Sequence, residues 1–343
     1  MTALTASPTA LDRLGRLRGR NNEGVLLGII VLLLLVILVV SPGTLSVAMA
    51  ADIARSAIVN MALALGLLLI IISGGVDVSF TAIAIFAGYG TVVALQALGI
   101  DSALFAFALA IAVGAALGIL NAILIAGFRL QTLIATLGTQ GIIRGTLLVA
   151  FGSTYISTLP PQLTAVGDAR FSLGGGASLA VLAVPVVLIA VVLGFVLKKT
   201  MFGRSVYAIG GSAESARRAG IRVGRVQTLI FVLAGALSGF AGMVHVALAG
   251  HASPFELVGT ELTVIAAVVI GGAADTGGRG TVQGVALGVI LLALIQNSLV
   301  RLGVPGFWHT VVVGFVILIG VAVQALSRRS RQRRAAILEG SMN

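Results

Sequence analysis

The 343-residue chain has no cysteine, which excludes disulfides and thiolate metal sites. Charge is scarce: 10% of residues are charged, against roughly 25% in soluble domains. The only lysines are Lys198 and Lys199, and no Gly-x-x-x-x-Gly-Lys-Ser/Thr occurs, so the usual phosphate loop for a nucleoside triphosphate is missing. The three histidines, His245, His251 and His309, are scattered without an acidic partner at ligand spacing, which argues against a metal site. No soluble segment interleaves basic with aromatic residues, so the net charge of +11 does not point to nucleic acid.

What the chain has is apolar length. Hydrophobic residues make up 58%, too much for a water-soluble surface, so lipid is its solvent. The 45 glycines suit close approach between membrane helices, and continuous rather than alternating apolar runs argue against a barrel. The fold expected is all-α, a polytopic transmembrane bundle. At roughly 20 apolar residues per crossing, ten spans can be drawn, near 24–40, 47–72, 81–98, 102–128, 131–151, 178–197, 226–249, 259–272, 282–300 and 306–326. The eighth is short and reads as a half-helix or re-entrant segment. A signal peptide cleaved after Val47-Ala-Met-Ala50 is the alternative for the first run. Its apolar stretch, Val25 to Val40, is 16 residues long and cleavage flips the parity, so it is kept as a span.

Basic residues set the direction. With a cytoplasmic N-terminus, eighteen of the 22 Lys and Arg fall inside and three, Arg55, Arg170 and Arg301, outside, with Arg144 within a span. This gives a multi-pass protein with both termini cytoplasmic: an N-terminal segment 1–23, a membrane domain 24–326 and a basic tail 327–343. The basic excess also suits contact with anionic membrane lipid. The domain contains one long polar cytoplasmic loop, 198–225, carrying seven basic residues. Within it Glu214 to Gly220 reads as a short helix, capped by Ser212, with Glu214 at its positive end, Arg217 and Arg218 at its negative end and Gly220 as its stop. It is either a lever for a partner or a plain connector.

Polar residues inside the spans have two readings each. Asn60, Asn121, Gln140, Gln296 and Asn297 either line a solute path or tie helices together. Arg144 either bonds backbone carbonyls or faces water. Asp77 is expected to order its glycine turn by accepting backbone N–H bonds. Ser73-Gly-Gly-Val-Asp77 is faintly echoed by Ile270-Gly-Gly-Ala-Ala-Asp275, too briefly to establish a duplication. Acids are sparse within the spans, which argues against an ion-coupled carrier, the main alternative, and against an intramembrane transferase.

Five stretches, in order, resemble the ribose-type ABC importer permeases over about 45–323. They are Ser73-Gly74-Gly75-Val-Asp77-Val-Ser79; Leu133-Ile-Ala-Thr-Leu-Gly-Thr139 with Arg144-Gly145; Gly203-Arg204-Ser-Val-Tyr-Ala-Ile-Gly210-Gly211-Ser-Ala-Glu214-Ser-Ala216-Arg217-Arg218-Ala-Gly220; Gly259-Thr-Glu261 running to Gly271-Gly272 and Gly277-Gly278-Arg-Gly280; and Leu302-Gly-Val-Pro-Gly-Phe-Trp308. Ala135-Thr-Leu-Gly-Thr139 and Arg144-Gly145, with Leu159-Pro-Pro-Gln-Leu163 after them, look closer to the rhamnose and autoinducer-2 branch than to the ribose branch. Phe80-Thr81 departs from the family's small residue and Gly after the serine. The resemblance implies a permease subunit without enzymatic activity or cofactor in the bacterial inner membrane, beside a second permease. It implies a pair of cytoplasmic ATP-binding subunits seated on Gly203 to Gly220, and a periplasmic or lipid-anchored solute-binding protein delivering a sugar or polyol. Outward loops, including Glu256 and Glu261, would meet that binding protein.

Overall fold

A computed structural model describes residues 23–40, 46–174 and 177–301, and, singly, 308, 311, 314, 315 and 318. The elements in order are α1 (Glu23–Val40), α2 (Val47–Ile72), α3 (Phe80–Leu98), α4 (Ala103–Ala122, extended by a π-turn at Ile123–Gly127), α5 (Thr132–Phe151), α6 (Pro161–Asp168), β1 (Arg170–Gly174), β2 (Ala177–Ala180), α7 (Ala183–Lys199), α8 (Met201–Gly211), α9 (Ala213–Arg218), α10 (Val223–Ala249), α11 (Thr260–Ile270) and α12 (Val282–Arg301). Six helices are long and apolar enough to cross a membrane, and a seventh crossing arises if α7 and α8, bent by 72° at Thr200, count as one. Leu26–Val39 and α11 are shorter apolar helices. The ten crossings drawn from sequence are therefore not reproduced among the described residues, while the helical bundle is. Most of the tenth run, the tail and most of the stretch from Leu302 to Trp308 lie outside the described residues.

Packing explains the order. From Leu63 to Ile72 every side chain of α2 is almost wholly buried, because this helix is apolar on all sides and runs through the middle of the bundle. Around it lie α3, α8, α10, α11 and α12. On α4, Gly114 and Gly118 face Gly235 and Gly239 of α10, and a Cβ at any of them would meet facing backbone. Two small-xxx-small pairs thus bring the backbones into contact, the main use of glycine between membrane helices.

The echo between Ser73–Asp77 and Ile270–Asp275 is a shared way of stopping a helix. Gly74 (φ 88°) and Gly272 (φ 89°) are both left-handed. Gly75 N–H donates to Ile70 O and Ala273 N–H to Val268 O, satisfying the terminal carbonyls. The same pattern ends α3 at Gly99 and α9 at Gly220, so it carries no sign of a repeat.

The hairpin of β1 with β2 has its second strand on residues where the sequence placed the start of a span. Its side gathers the loops of one end: Ile156 bridges to Ala252, Tyr89 Oη donates to Thr154 O, and Gln96 Nε2 to Thr158 O. The opposite end gathers 73–79, 200–222 and 271–281.

Candidate functional site

At that second end α8 and α9 are fastened to the bundle. Thr200 caps α8, accepting from Gly203 N–H, and Ser212 caps α9, accepting from Ser215 N–H. Glu214 and Arg218 pair across one turn, and Gly220 (φ 86°) ends the helix. The 198–225 segment is thus two helices where the sequence showed one. Arg204, Glu214, Arg217 and Arg218 are exposed, while Ala216 packs with Ile209 and Val223. Gly203 lies so close to Leu197 that a Cβ would overlap its backbone, which permits the sharp bend.

The attachment is built from glycine. A Cβ on Gly210 would overlap Ile72 O and the Gly278 nitrogen, whereas Gly211 has open space. Gly278 N–H donates to Ile72 O at 2.8 Å, Gly277 lies against Gly74, and Tyr207 Oη donates to Gly280 O at 2.7 Å. Gly271 packs on Gly284 of α12. The glycine signatures of 74–75, 210–211 and 271–280 therefore converge at one junction joining α8 to the ends of α2 and α11.

From this junction two independent rises lead to one point. α11 climbs about 13 Å from Ile270 to Glu261. On α5, Thr132 lies beside Gly75, and Arg144 is about 18 Å above it. There Arg144 Nη2 meets Glu261 Oε1 at 2.5 Å. The ion pair thus lies along both helices at a height above the junction comparable to half the hydrocarbon thickness, about 15 Å. Gln140 Nε2 also donates to Glu261 Oε1, at 2.7 Å, and Arg144 reaches Thr81 Oγ1 at 3.3 Å. The Glu261 side chain is 10% exposed and that of Arg144 31%. Of the two partners Glu261 stands where the backbone is interrupted, directly after the irregular 250–259 segment, while Arg144 lies within the continuous helix α5. Non-helical backbone at membrane depth persists only inside protein or beside a water cavity.

Glu261, expected on an outward loop, is buried and paired with Arg144. Arg144 bonds the Glu261 carboxylate and the Thr81 hydroxyl, and its side chain remains partly exposed. Glu256 is also turned inward, with His245 Nε2 at 2.8 Å and His251 Nε2 at 2.6 Å, so these histidines do have an acidic partner. Burial pushes the Glu256 carboxyl up, but the two histidines outweigh it and hold it below its ordinary value. The exposed apolar side chains of that loop, Phe255 and Val258, were not singled out from sequence.

The remaining polar residues divide. Asn60 and Gln296 line a cavity of about 470 Å³ with Arg55, Ser56, His245 and Thr260. Asn121 Nδ2 donates to Ser79 Oγ and Asn297 Nδ2 to Ser56 Oγ and Ala293 O, so both tie helices together. Asp77 Oδ1 accepts from Ser79 N–H and Ser79 Oγ–H and orders its turn. Phe80 is buried in the core rather than facing a path. Among the described residues no group of His, Asp and Glu is disposed to hold a metal ion.

The sequence profile of a family described as "Branched-chain amino acid transport system / permease component" matches residues 49–321. The ribose import permease of Bacillus subtilis is 37% identical over 298 residues, covering 87% of this chain and 91% of that protein. The chain belongs to the ribose-type ABC importer permease family. An autoinducer 2 import permease of Klebsiella pneumoniae is 34% identical, covering 91% of this chain and 90% of that protein. An L-arabinose ABC transporter permease of Azospirillum brasilense is 32% identical, covering 79% and 78%. Membership together with several apolar helices makes this a multi-pass inner-membrane protein and a transport subunit.

Proposed function

We propose that the chain is the membrane-spanning subunit of an ATP-driven importer of a sugar or sugar-like polyol, and that α11 links its motor side to its path. The carrying observation is the fastening of both ends of α11. Its lower end is tied to α8 through Gly280, Gly278 and Gly210, and its upper end holds the Glu261 to Arg144 ion pair. A separate pair of cytoplasmic ATP-binding subunits seats on α8 and α9. When that pair closes, displacement of α8 shifts α11 and loosens the Glu261 to Arg144 ion pair, exposing Arg144, Gln140 and Glu261 to solute hydroxyls. A second permease copy packs on the bare face of α5, where Gly138, Gly141 and Gly145 meet nothing within this chain, and the path runs between the copies. A solute-binding protein docks at the far end, on Phe255 and Val258.

Binding by hydroxyls alone is weak here, which suits a conduit whose selectivity resides in the binding protein. The cargoes named for the relatives, ribose, arabinose and autoinducer 2, support a polyol class. An ion-coupled carrier would need a carboxylate free to take up an ion. Among the described residues the two buried ones are committed, Asp77 to Ser79 and Glu261 to Arg144 and Gln140. The test is Glu214→Ala with Arg218→Ala, followed by co-purification with the ATPase and ATP-driven uptake. Loss of both supports the assignment of α9, and unchanged association and uptake refute it.

A further inference from the structure

Beside the coupling helices the structure holds a basic hollow that the transport reading does not use. A recess of about 860 Å³ lies between the end of α4, α9 and the start of α10, and its walls include Arg129, Arg217, Arg222 and Arg225 but no Asp or Glu. Among the described residues none of these four arginines has an ion-pair partner. Arg222 and Arg225 flank the start of α10, whose first turn contains no acid. Positive side chains there add to the positive helix end instead of offsetting it. Arg129 is held in the left-handed region at φ 57°, a conformation costly for any residue with a Cβ. Leu130 N–H donating to Leu124 O fixes it there. The charge is therefore concentrated and uncompensated.

The recess is not an isolated surface patch. It shares Ala126, Gly224 and Arg225 with a second groove of about 450 Å³, which climbs between α4 and α10 along Ile119, Ala122 and Ile123 and is apolar. Ile119 and Ile123 are about half exposed, on the surface that faces hydrocarbon in a membrane. A basic hollow leading into an apolar furrow matches an amphiphile with an anionic head and a hydrocarbon tail.

We infer that this is a binding site for one anionic phospholipid of the inner leaflet: the phosphate sits among Arg129, Arg222 and Arg225, and an acyl chain lies along Ile119, Ala122 and Ile123. Arg217 belongs to α9, so an occupied site braces the coupling helix against α10 and makes its position sensitive to lipid charge. The inner-leaflet assignment rests on the proposed orientation, whereas binding in detergent has no sidedness, so a failed orientation and a failed site are read separately.

The test uses the full-length chain in neutral detergent, titrated with short-chain phosphatidylglycerol, phosphatidylcholine or inorganic phosphate, with bound lipid counted by native mass spectrometry. Phosphatidylglycerol is expected to saturate at one molecule per chain while the other two do not bind. Each arginine near the head contributes on the order of 1 kcal/mol, about fivefold in affinity. Arg129→Gln with Arg225→Gln should therefore weaken binding roughly thirtyfold. Ala126→Leu, which fills the furrow without changing charge, should weaken it too, and each variant's unfolding temperature without lipid checks that it is folded. Lys198→Gln with Lys199→Gln removes the same charge elsewhere and should leave binding intact. Equal loss from the lysine and arginine pairs, saturation by inorganic phosphate, or indifference to Ala126→Leu overturns the lipid site. So does an arginine pair variant that keeps phosphatidylglycerol but loses its ATPase, which would assign the hollow to an acidic protein surface.

Discussion

Replacing Gly210 with Ala adds one methyl group at the point where α8 meets the ends of α2 and α11. The added Cβ would overlap the carbonyl oxygen of Ile72 and the nitrogen of Gly278. Both are backbone atoms, so neither can swing aside as a side chain would. They are also hydrogen-bonded to each other, so separating them removes that bond as well. Overpacking costs about 1–3 kcal/mol, and a stranded buried N–H about 1–3 kcal/mol more. The better helix propensity of Ala returns up to about 1 kcal/mol near the end of α8. Taken at mid-range the net cost is about 3 kcal/mol, a sizeable part of a total stability of about 5–15 kcal/mol. The chain therefore still folds, with α8 displaced from α11. The neighbouring Gly211→Ala is the control: it has the same chemistry in the same helix, and nothing lies within 4 Å of the new atom. Reconstituted with its ATPase and binding protein, Gly210→Ala should hydrolyse ATP with little uptake and unfold several degrees lower, while Gly211→Ala should match the parent in both. If the two variants behave alike, the junction does not transmit motion and the reasoning fails.

The ion pair offers a second check. Glu261→Gln leaves Arg144 without a charge partner, and because Arg144 is about a third exposed the cost should be about 1–3 kcal/mol rather than the 3–5 kcal/mol of a fully buried pair. A double-mutant cycle with Arg144→Gln should recover most of it, and strict additivity would show that the pair is not formed. On α9, the exposed Glu214–Arg218 pair is worth only about 0.3–0.5 kcal/mol. Its removal should leave the unfolding temperature nearly unchanged while ATPase binding drops, so a large stability loss would count against a docking role. Glu256 is held below its ordinary value of 4.5, so its contribution is present above that value and disappears as pH falls through the lowered one. Proteolysis of 250–259 should rise only at such acidity in the parent, but already at neutral pH in Glu256→Gln. Equal cleavage of both at neutral pH would refute the idea that Glu256 holds this segment through His245 and His251.

Much of the bundle was readable because lipid leaves a chain few options. The run from Val47 to Ile72 is bounded by a capping serine and a glycine stop, and the structure keeps both boundaries. The helix Met201–Gly211 was not readable, since Gly203, Gly210 and Gly211 break its pattern and look like loop. Two of those glycines serve close approaches visible only in three dimensions. The ion pair was hidden for a related reason: Arg144 and Glu261 are 117 positions apart. The one usable signal was that an arginine inside a span needs a partner, and Glu261 opens a short apolar helix. His245 and Glu256 were missed because the irregular 250–259 segment folds back by a route no periodicity announces.

The central claim is that an ATPase on α8 and α9 works the Glu261 to Arg144 ion pair. Because the chain lacks cysteine, spin labels can be placed at Gln140→Cys and Val258→Cys alone, and their separation followed by pulsed electron resonance in the reconstituted complex. Trapping the ATPase pair closed with ATP should change that distance in the parent and not in Gly210→Ala. A distance indifferent to nucleotide in the parent, with uptake intact, would contradict the account.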